Sequence, residues 1–91
     1  MANIKSAKKR IKQIEVRTLR NKIRKTMVRT AVRRFEGALN RNDMDAAEMA
    51  LRFCYARLDR AAQKGAIHRN AAARKKSRLT QRFNKVKSQS A

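Results

Sequence analysis

The chain has 91 residues, a formal net charge of +20 at pH 7 and aromatic residues at only 4% of its positions. This length fits one small domain, and so large a positive charge opposes compaction unless a polyanion neutralises it. The single cysteine, Cys54, excludes an internal disulfide, and no apolar run approaches the roughly 18 residues that a membrane helix needs.

A long first helix is predicted over residues 6–40, because the chain has no proline and its first glycine is Gly37. At about 1.5 Å per residue, this helix would be roughly 50 Å long. Its second half places apolar residues on one broad side, which is typical of a bundle helix: Ile23, Met27, Ala31, Phe35 and Ala38. The opposite side carries a basic ridge made of Lys22, Lys25, Arg29 and Arg33.

The first half of this helix is interpreted as a cationic arm, since its basic residues point in most directions. Ser6 or Asn3 is the candidate N-cap. Cations in the first turns oppose the helix dipole, so we expect these turns to fray in the free protein and to form against phosphate. The start lacks an apolar signal-peptide core, so secretion is not expected. Its basic pattern resembles a mitochondrial presequence but continues unbroken into the bundle half.

A second helix is predicted after a cap at Asn42 or Asp43. Its apolar residues recur at spacings of three and four and form one continuous stripe: Met44, Ala47, Leu51, Cys54, Leu58 and Ala61. Glu48 and Arg52 are spaced for an i,i+4 ion pair. Together these features predict a helix that packs along one face and leaves a solvated face of balanced charge.

Few residues of the chain offer reactive chemistry, so no enzyme activity, metal or cofactor is expected. Cys54 lies on the apolar stripe and is expected to be a buried apolar side chain rather than a reactive thiol. His68 either caps a helix or donates a hydrogen bond to phosphate. Phe53 and Met49 lie off the stripe, where an edge contact within the chain is favoured over contact with a neighbour.

The third helix follows Gly65, because glycine at the end of a helix readily adopts the left-handed conformation. Ala66 and Ile67 are placed to fill the lower end of the bundle. Asn70 is the preferred N-cap, with His68 as the alternative. One side of this helix is apolar, at Ala72, Leu79, Phe83 and Val86. The other side is basic, at Arg74, Arg78, Arg82 and Lys85.

These elements predict an all-α fold, a three-helix up-down-up bundle with an elongated N-terminal first helix. Its single domain, residues 1–91, would consist of a basic arm (1–21), a bundle (22–86) and a short polar tail (87–91). Along the bundle axis, the third helix should begin at the level of residues 20–24 of the first helix. A basic patch at the foot of the bundle would then bring Arg69, Arg74, Lys75 and Lys76 near Arg17, Arg20, Arg24 and Lys25.

Charge is distributed unevenly along the chain. Residues 1–42 carry 14 basic and two acidic residues, residues 43–64 carry four of each, and residues 65–91 carry eight basic and none acidic. The chain therefore has a binding side and a neutral side. With no helix-turn-helix, no zinc finger and few aromatic residues for base stacking, we expect contacts to the phosphates of folded, double-helical nucleic acid.

Three segments resemble the bacterial small-subunit ribosomal protein S20 family: MANIKSAKKR at the start, KTMVRT at 25–30 and KGAIHRNAAARKKSRLT at 64–80. The resemblance covers nearly the whole chain. It implies a three-helix bundle that binds 16S ribosomal RNA directly and early in 30S assembly. The protein would be a monomer within the cytoplasmic particle, low on the body beside other small-subunit components, with its first helix between RNA helices.

The basic positions that match this family, and that the resemblance implies as RNA contacts, are Lys5, Lys8, Lys9, Arg10, Arg29, Lys64, His68, Arg69, Arg74, Lys75 and Lys76. The charge pattern adds Lys12, Arg17, Arg20, Lys22, Arg24, Lys25, Arg33, Arg78 and Arg82. No membrane and no small-molecule substrate is expected as a partner. The alternative functions are a nucleoid-type DNA-binding protein and a membrane-active or antizyme-like regulatory protein.

Overall fold

The computed structural model describes the backbone of residues 2–90 and the side chains of residues 4–89. It contains three helices, α1 (Ala2–Asn40), α2 (Met44–Gln63) and α3 (Arg69–Ser90). Short connections make neighbouring helices antiparallel, so the predicted all-α, up-down-up bundle with a long first helix is confirmed. The radius of gyration of 18.0 Å exceeds the roughly 12 Å of a compact chain this long, because α1 extends beyond the bundle.

Helix α1 is longer than the sequence predicts. It has 39 residues, which corresponds to about 58 Å at a rise of about 1.5 Å per residue. Ser6 lies inside the helix and is not its N-cap, and the side chain of Asn3 lies outside the described residues. The predicted end at Asn40 is confirmed.

The α1–α2 and α2–α3 connections end the preceding helix with the same backbone motif. After α1, Asn42 has a φ of 56°, and the N–H of Asp43 donates to the carbonyl of Ala38 at 3.1 Å. After α2, Gly65 has a φ of 78°, and the N–H of Ala66 donates to the carbonyl of Ala61 at 2.8 Å. These are Schellman motifs, which satisfy the last carbonyl groups of a helix and turn the chain back.

The starts of α2 and α3 differ in how well the sequence predicts them. Asp43 caps α2, as predicted, because its Oδ1 accepts from the backbone N–H of Ala46 at 3.2 Å. His68 rather than Asn70 caps α3: its Nδ1 accepts from the N–H of Asn70 at 3.1 Å. Asn70 was the wrong choice because the helix has already begun at Arg69.

Helix α3 continues to Ser90, so residues 87–90 are helical and do not form the separate tail that the sequence predicts. Ala91 lies outside the described residues. The apolar side of α3 is placed as predicted, with Ala72, Leu79 and Phe83 buried and Val86 packed against the core.

The core lies between the second half of α1 and the facing sides of α2 and α3. Phe35 and Leu58 are fully buried, and the ring centroids of Phe35 and Phe83 are 6.4 Å apart. The predicted α2 stripe is confirmed: Met44 packs at the edge of the core, and the buried members are Ala47, Leu51, Cys54, Leu58 and Ala61. None of the described polar side chains is buried.

Two residues that the sequence assigns to the core are exposed. Ile23 and Met27 are 47% and 41% exposed, whereas Val28 and Leu39 are buried. At about 100° per residue, Ile23 is rotated about 120° from Phe35 around the α1 axis. The two helices that cover Phe35 therefore leave Ile23 uncovered, and the buried side of α1 begins at Val28.

Candidate nucleic-acid interface

The arm of α1 stands clear of the bundle. All side chains from residue 4 to residue 20 are exposed, and none contributes to the core. Because a helix distributes consecutive residues around its axis, basic groups project from this segment in several directions. The exposed cations predicted as contacts here are Lys5, Lys8, Lys9, Arg10, Lys12, Arg17 and Arg20.

Where the arm meets the bundle, the end of α2 joins it. Lys64, which follows α2, lines a surface depression together with Lys9, Lys12, Arg17, Arg20 and Arg24 of α1. One of these cations is held in place, since Nη1 of Arg24 donates to Oδ1 of Asn21 at 3.3 Å. The end of α2 therefore lies beside the base of the arm, and the depression is strongly electropositive.

A second basic cluster joins α1 to α3. Lys25 and Arg29 of α1 and Lys75 of α3 line one surface pocket, with Ile67 from the preceding loop between the helices. Of the basic patch that the sequence predicts, the fold brings together Lys25 and Lys75, which are distant in sequence. Arg17, Arg20 and Arg24 instead line the depression with Lys64. Arg69 lies elsewhere, at the loop around Gly65.

Two other predicted contacts are engaged within the chain. Nζ of Lys76 lies 2.9 Å from Oδ1 of Asp59 and 5.4 Å from the ring centroid of Tyr55. Nη1 of Arg82 lies 2.7 Å from Oε1 of Glu36. The sequence groups both cations with Arg74, but they connect α3 to α2 and to α1 respectively.

A hydrogen bond between Tyr55 and Thr80 joins α2 to the side of α3 that carries Lys76. The Thr80 hydroxyl donates to the carbonyl oxygen of Lys76 at 2.8 Å. The hydroxyl of Tyr55 is hydrogen-bonded to Oγ1 of Thr80, and must be the donor because Thr80 has one hydroxyl proton. Lys76 and Thr80 therefore both face the neutral helix α2.

His68 can serve both of the roles considered for it. Its Nδ1 accepts the N–H of Asn70, so the proton of the neutral imidazole is on Nε2. The side chain is exposed, which leaves Nε2 as a donor toward solvent. The remaining predicted contacts are also exposed: Lys22, Arg33, Arg69, Arg74 and Arg78.

An apolar groove that the sequence did not reveal lies beside these cations. Leu19, Ile23 and Met27 form its α1 wall, and Phe53 faces them from α2. Two arginines outside the predicted set, Arg34 and Arg57, lie at its edges. The spacing of four between the α1 residues was the available signal, but Ile23 and Met27 were assigned to the core and Leu19 fell within the predicted arm.

Reactive groups are sparse in the described part of the chain. No cluster of His, Cys, Asp and Glu there could hold a metal ion. Cys54 is buried as predicted, and burial, with a smaller contribution from the charge of Glu36, raises the pKa of its thiol from 9.0 to about 11. No described helix is long and apolar enough to cross a membrane.

An exposed cationic helix on a small three-helix bundle is typical of proteins that act by binding rather than by catalysis. The model of the ribosomal protein S20 family matches residues 2–84, and the chain belongs to this family. This family is a structural one, which confirms the prediction that the chain is not an enzyme.

Relatives extend the match over nearly the full length. The chain is 55% identical over 86 residues to the small ribosomal subunit protein bS20 of Desulforamulus reducens. The matched region covers 94% of this chain and 98% of that protein. It is 52% identical over 88 residues to bS20 of Natranaerobius thermophilus, covering 97% and 100% of the two chains. The resemblance inferred from the three segments is thus confirmed.

Proposed function

We propose that this protein is a structural constituent of the small ribosomal subunit that binds 16S ribosomal RNA directly and stabilises its folded helices during assembly. The observation that carries the proposal is the arm, in which every side chain from residue 4 to residue 20 is exposed on a helix with many cations. The names of its relatives, small ribosomal subunit protein bS20, support the assignment to the particle.

Recognition in this proposal depends on the phosphate backbone. The arm enters between RNA helices, and the two basic clusters around Lys64 and Lys75 contact phosphates at its base. Arg, with 15 of the 26 basic residues, can present two N–H groups to two phosphate oxygens and so fixes the relative position of two strands. The RNA and the arm then stabilise each other, because the phosphates neutralise the repulsion between neighbouring cations.

Partners are proposed on the same basis. Within the particle the protein acts as a monomer, because two chains of charge +20 repel each other. It lies among other small-subunit components in the cytoplasmic ribosome, and the side of α2 that carries the exposed Glu48–Arg52 pair faces away from the RNA backbone.

The proposal is tested by measuring binding of the full chain to refolded 16S ribosomal RNA over a range of salt concentrations. With ten or more phosphate contacts, the slope of log K against log salt should be about −7 to −9, since each contact contributes about −0.7 to −0.9. Duplex DNA at the same salt should compete poorly. Equal affinity for duplex DNA, or no binding to the RNA at moderate salt, would refute the proposal.

A further inference from the structure

A groove lined by exposed apolar residues lies between α1 and α2. It has a volume of about 500 Å³, and its apolar residues, Leu19, Ile23, Met27 and Phe53, are between 41% and 59% exposed. Contiguous exposed apolar residues on a small soluble protein usually mark an interaction surface. An occupant with an apolar face would therefore bury area that the bundle leaves in water.

The edges of the groove select for negative charge. Lys22, Arg34 and Arg57 line it, and among the described residues none that lines it is acidic. Thr26 and Thr30 also line it, but each hydroxyl donates at 3.0 Å to a carbonyl oxygen of its own helix. The groove thus offers an apolar floor and cationic edges, and a second copy of this chain, with its charge of +20, is repelled.

The ring of Phe53 and the guanidinium group of Arg57 are planar groups at one side of the groove, and they indicate which kind of ligand fits there. Phe53 is the one exposed aromatic residue among the described side chains. The guanidinium carbon of Arg57 lies 4.9 Å from the ring centroid of Phe53. Nη1 of Arg57 lies 3.6 Å from Sδ of Met27. Unpaired RNA bases are bound by stacking on aromatic rings and on Arg guanidinium planes.

The groove is also continuous with the basic surface proposed to bind RNA. Lys22 belongs to the basic ridge of α1 and at the same time lines the groove. A phosphate bound at Lys22 would therefore lie beside the groove. A base that is paired in a helix has both faces stacked, so only an unpaired one could enter.

We propose that this groove binds an unpaired nucleotide of the same RNA. Its base packs against Phe53 and Arg57 above the apolar floor, and its flanking phosphates pair with Lys22 and Arg34. The size suits such a ligand, since pockets for small ligands measure about 300 to 1,000 Å³. This inference rests on the proposed function and adds to it a contact that does not depend on the backbone.

The test compares full-length variants bound to refolded 16S ribosomal RNA. Phe53→Leu keeps an apolar side chain but removes the ring, Phe53→Tyr keeps the ring, and Met49→Ala changes a 75% exposed residue one turn away on α2. Loss of one base–aromatic stack should weaken binding about tenfold for Phe53→Leu. The salt slope should stay that of the wild type because no phosphate contact is lost, and Phe53→Tyr and Met49→Ala should bind normally.

Chemical probing of the RNA supplies a second readout. The wild type should protect one unpaired base that Phe53→Leu leaves reactive, while protection of the backbone along the arm is unchanged. Wild-type affinity and protection for Phe53→Leu would overturn the nucleotide site alone, provided that the wild type binds with its steep slope. A photo-crosslinking residue at position 53 that labels a protein instead of RNA in the assembled subunit would also overturn it. Failure of the wild type to bind RNA would refute the proposed function first.

Discussion

Lys76 and Lys75 are adjacent in α3 but face different helices. Nζ of Lys76 lies 2.9 Å from Oδ1 of Asp59 on α2, whereas Lys75 shares a pocket with Lys25 and Arg29 of α1. Successive residues of a helix differ by about 100° around its axis, which is enough to direct two neighbours to opposite neighbouring elements. One lysine therefore links α2 to α3, and the other contributes to a basic cluster on the proposed RNA-binding side.

Replacing each of these lysines by alanine should separate the two roles. Lys75→Ala should weaken binding to 16S ribosomal RNA and reduce the steepness of its salt slope by about 0.7 to 0.9, the contribution of one phosphate contact. Lys76→Ala should leave the slope almost unchanged and lower the free energy of unfolding by about 0.2 to 1 kcal/mol, as expected for an exposed ion pair. Salt-dependent filter binding and urea unfolding measure the two effects. An equal change of slope in both variants would contradict the assignment.

Charge reversal should affect the two sides of the bundle unequally. Arg29→Glu places an acid in the cluster with Lys25 and Lys75, so RNA binding should fall by more than about tenfold. Arg52→Glu removes the exposed pair with Glu48 on α2, whose atoms are 3.1 Å apart, and should change RNA binding little. Because both substitutions change the net charge equally, the second is a direct control for long-range electrostatics. Equal losses would mean that the chain binds through its overall charge.

Hydrogen exchange should divide α1 into two parts. The first turn has no acidic residue to favour the positive end of the helix dipole, and the side chains of residues 4–20 are all exposed and outside the core. Their amides should exchange rapidly in the free protein and become protected when RNA is added. The amides of residues 28–39 should be protected in both states, because Val28, Phe35 and Leu39 are buried. Full protection of the arm without RNA would show that it is stable alone.

The thiol of Cys54 should react slowly in the folded protein. Burial raises its pKa from 9.0 to about 11, so at pH 8 the thiolate population is about a hundredfold lower than in the unfolded chain. Alkylation by iodoacetamide, followed by mass spectrometry with and without urea, measures this difference. Equal rates in the two conditions would show that the α2 stripe is not packed at this position.

The raised pKa of Cys54 makes the free energy of unfolding depend on pH in the alkaline range. Since the folded pKa is the higher one, the stabilisation is complete below about pH 9 and is lost as the pH rises through 11. A Cys54→Ala variant, which has no thiol to ionise, should lose less stability than the wild type over that interval in urea titrations. A parallel decline of the two proteins would show that Cys54 does not carry the effect.

The two glycines should respond to alanine in opposite directions. Gly65 has a φ of 78°, so Gly65→Ala should destabilise the protein by about 1 kcal/mol although no atom lies within 4 Å of the added Cβ. Gly37 lies within α1, and a Cβ there would meet only Nη1 of the flexible Arg41 at 3.6 Å, so Gly37→Ala should stabilise by about 0.5 to 1 kcal/mol. Urea unfolding of both variants provides the comparison, and each serves as the control for the other.

Most of the fold could be predicted from the sequence because local rules determine it. Asp43 before an apolar stripe indicates a helix start, and Gly65 after a polar pair indicates a helix end. Of the two candidate caps of α3, the wrong one was preferred, because the side chains of His68 and Asn70 can both accept a hydrogen bond from the backbone. The sequence does not indicate at which of the two residues the helix begins.

The candidate site was harder to predict because it depends on which residues neighbouring helices cover. Ile23 and Met27 continue the apolar spacing of α1, but α2 and α3 approach from a side that leaves them exposed. The pairing of Lys76 with Asp59 depends on the rotation of α3 against α2, which periodicity alone does not fix. The helices themselves could be predicted from the sequence, but the faces that they turn toward one another could not.

The confinement of the core to the second half of α1 has a consequence for how this protein can diverge. No side chain between residues 4 and 20 supports the bundle. Substitutions there change the fit to the bound partner while leaving the folding free energy of the bundle nearly untouched. A lineage can therefore adjust its arm to altered RNA without acquiring a compensating change in α2 or α3, whereas a change at Phe35 requires one.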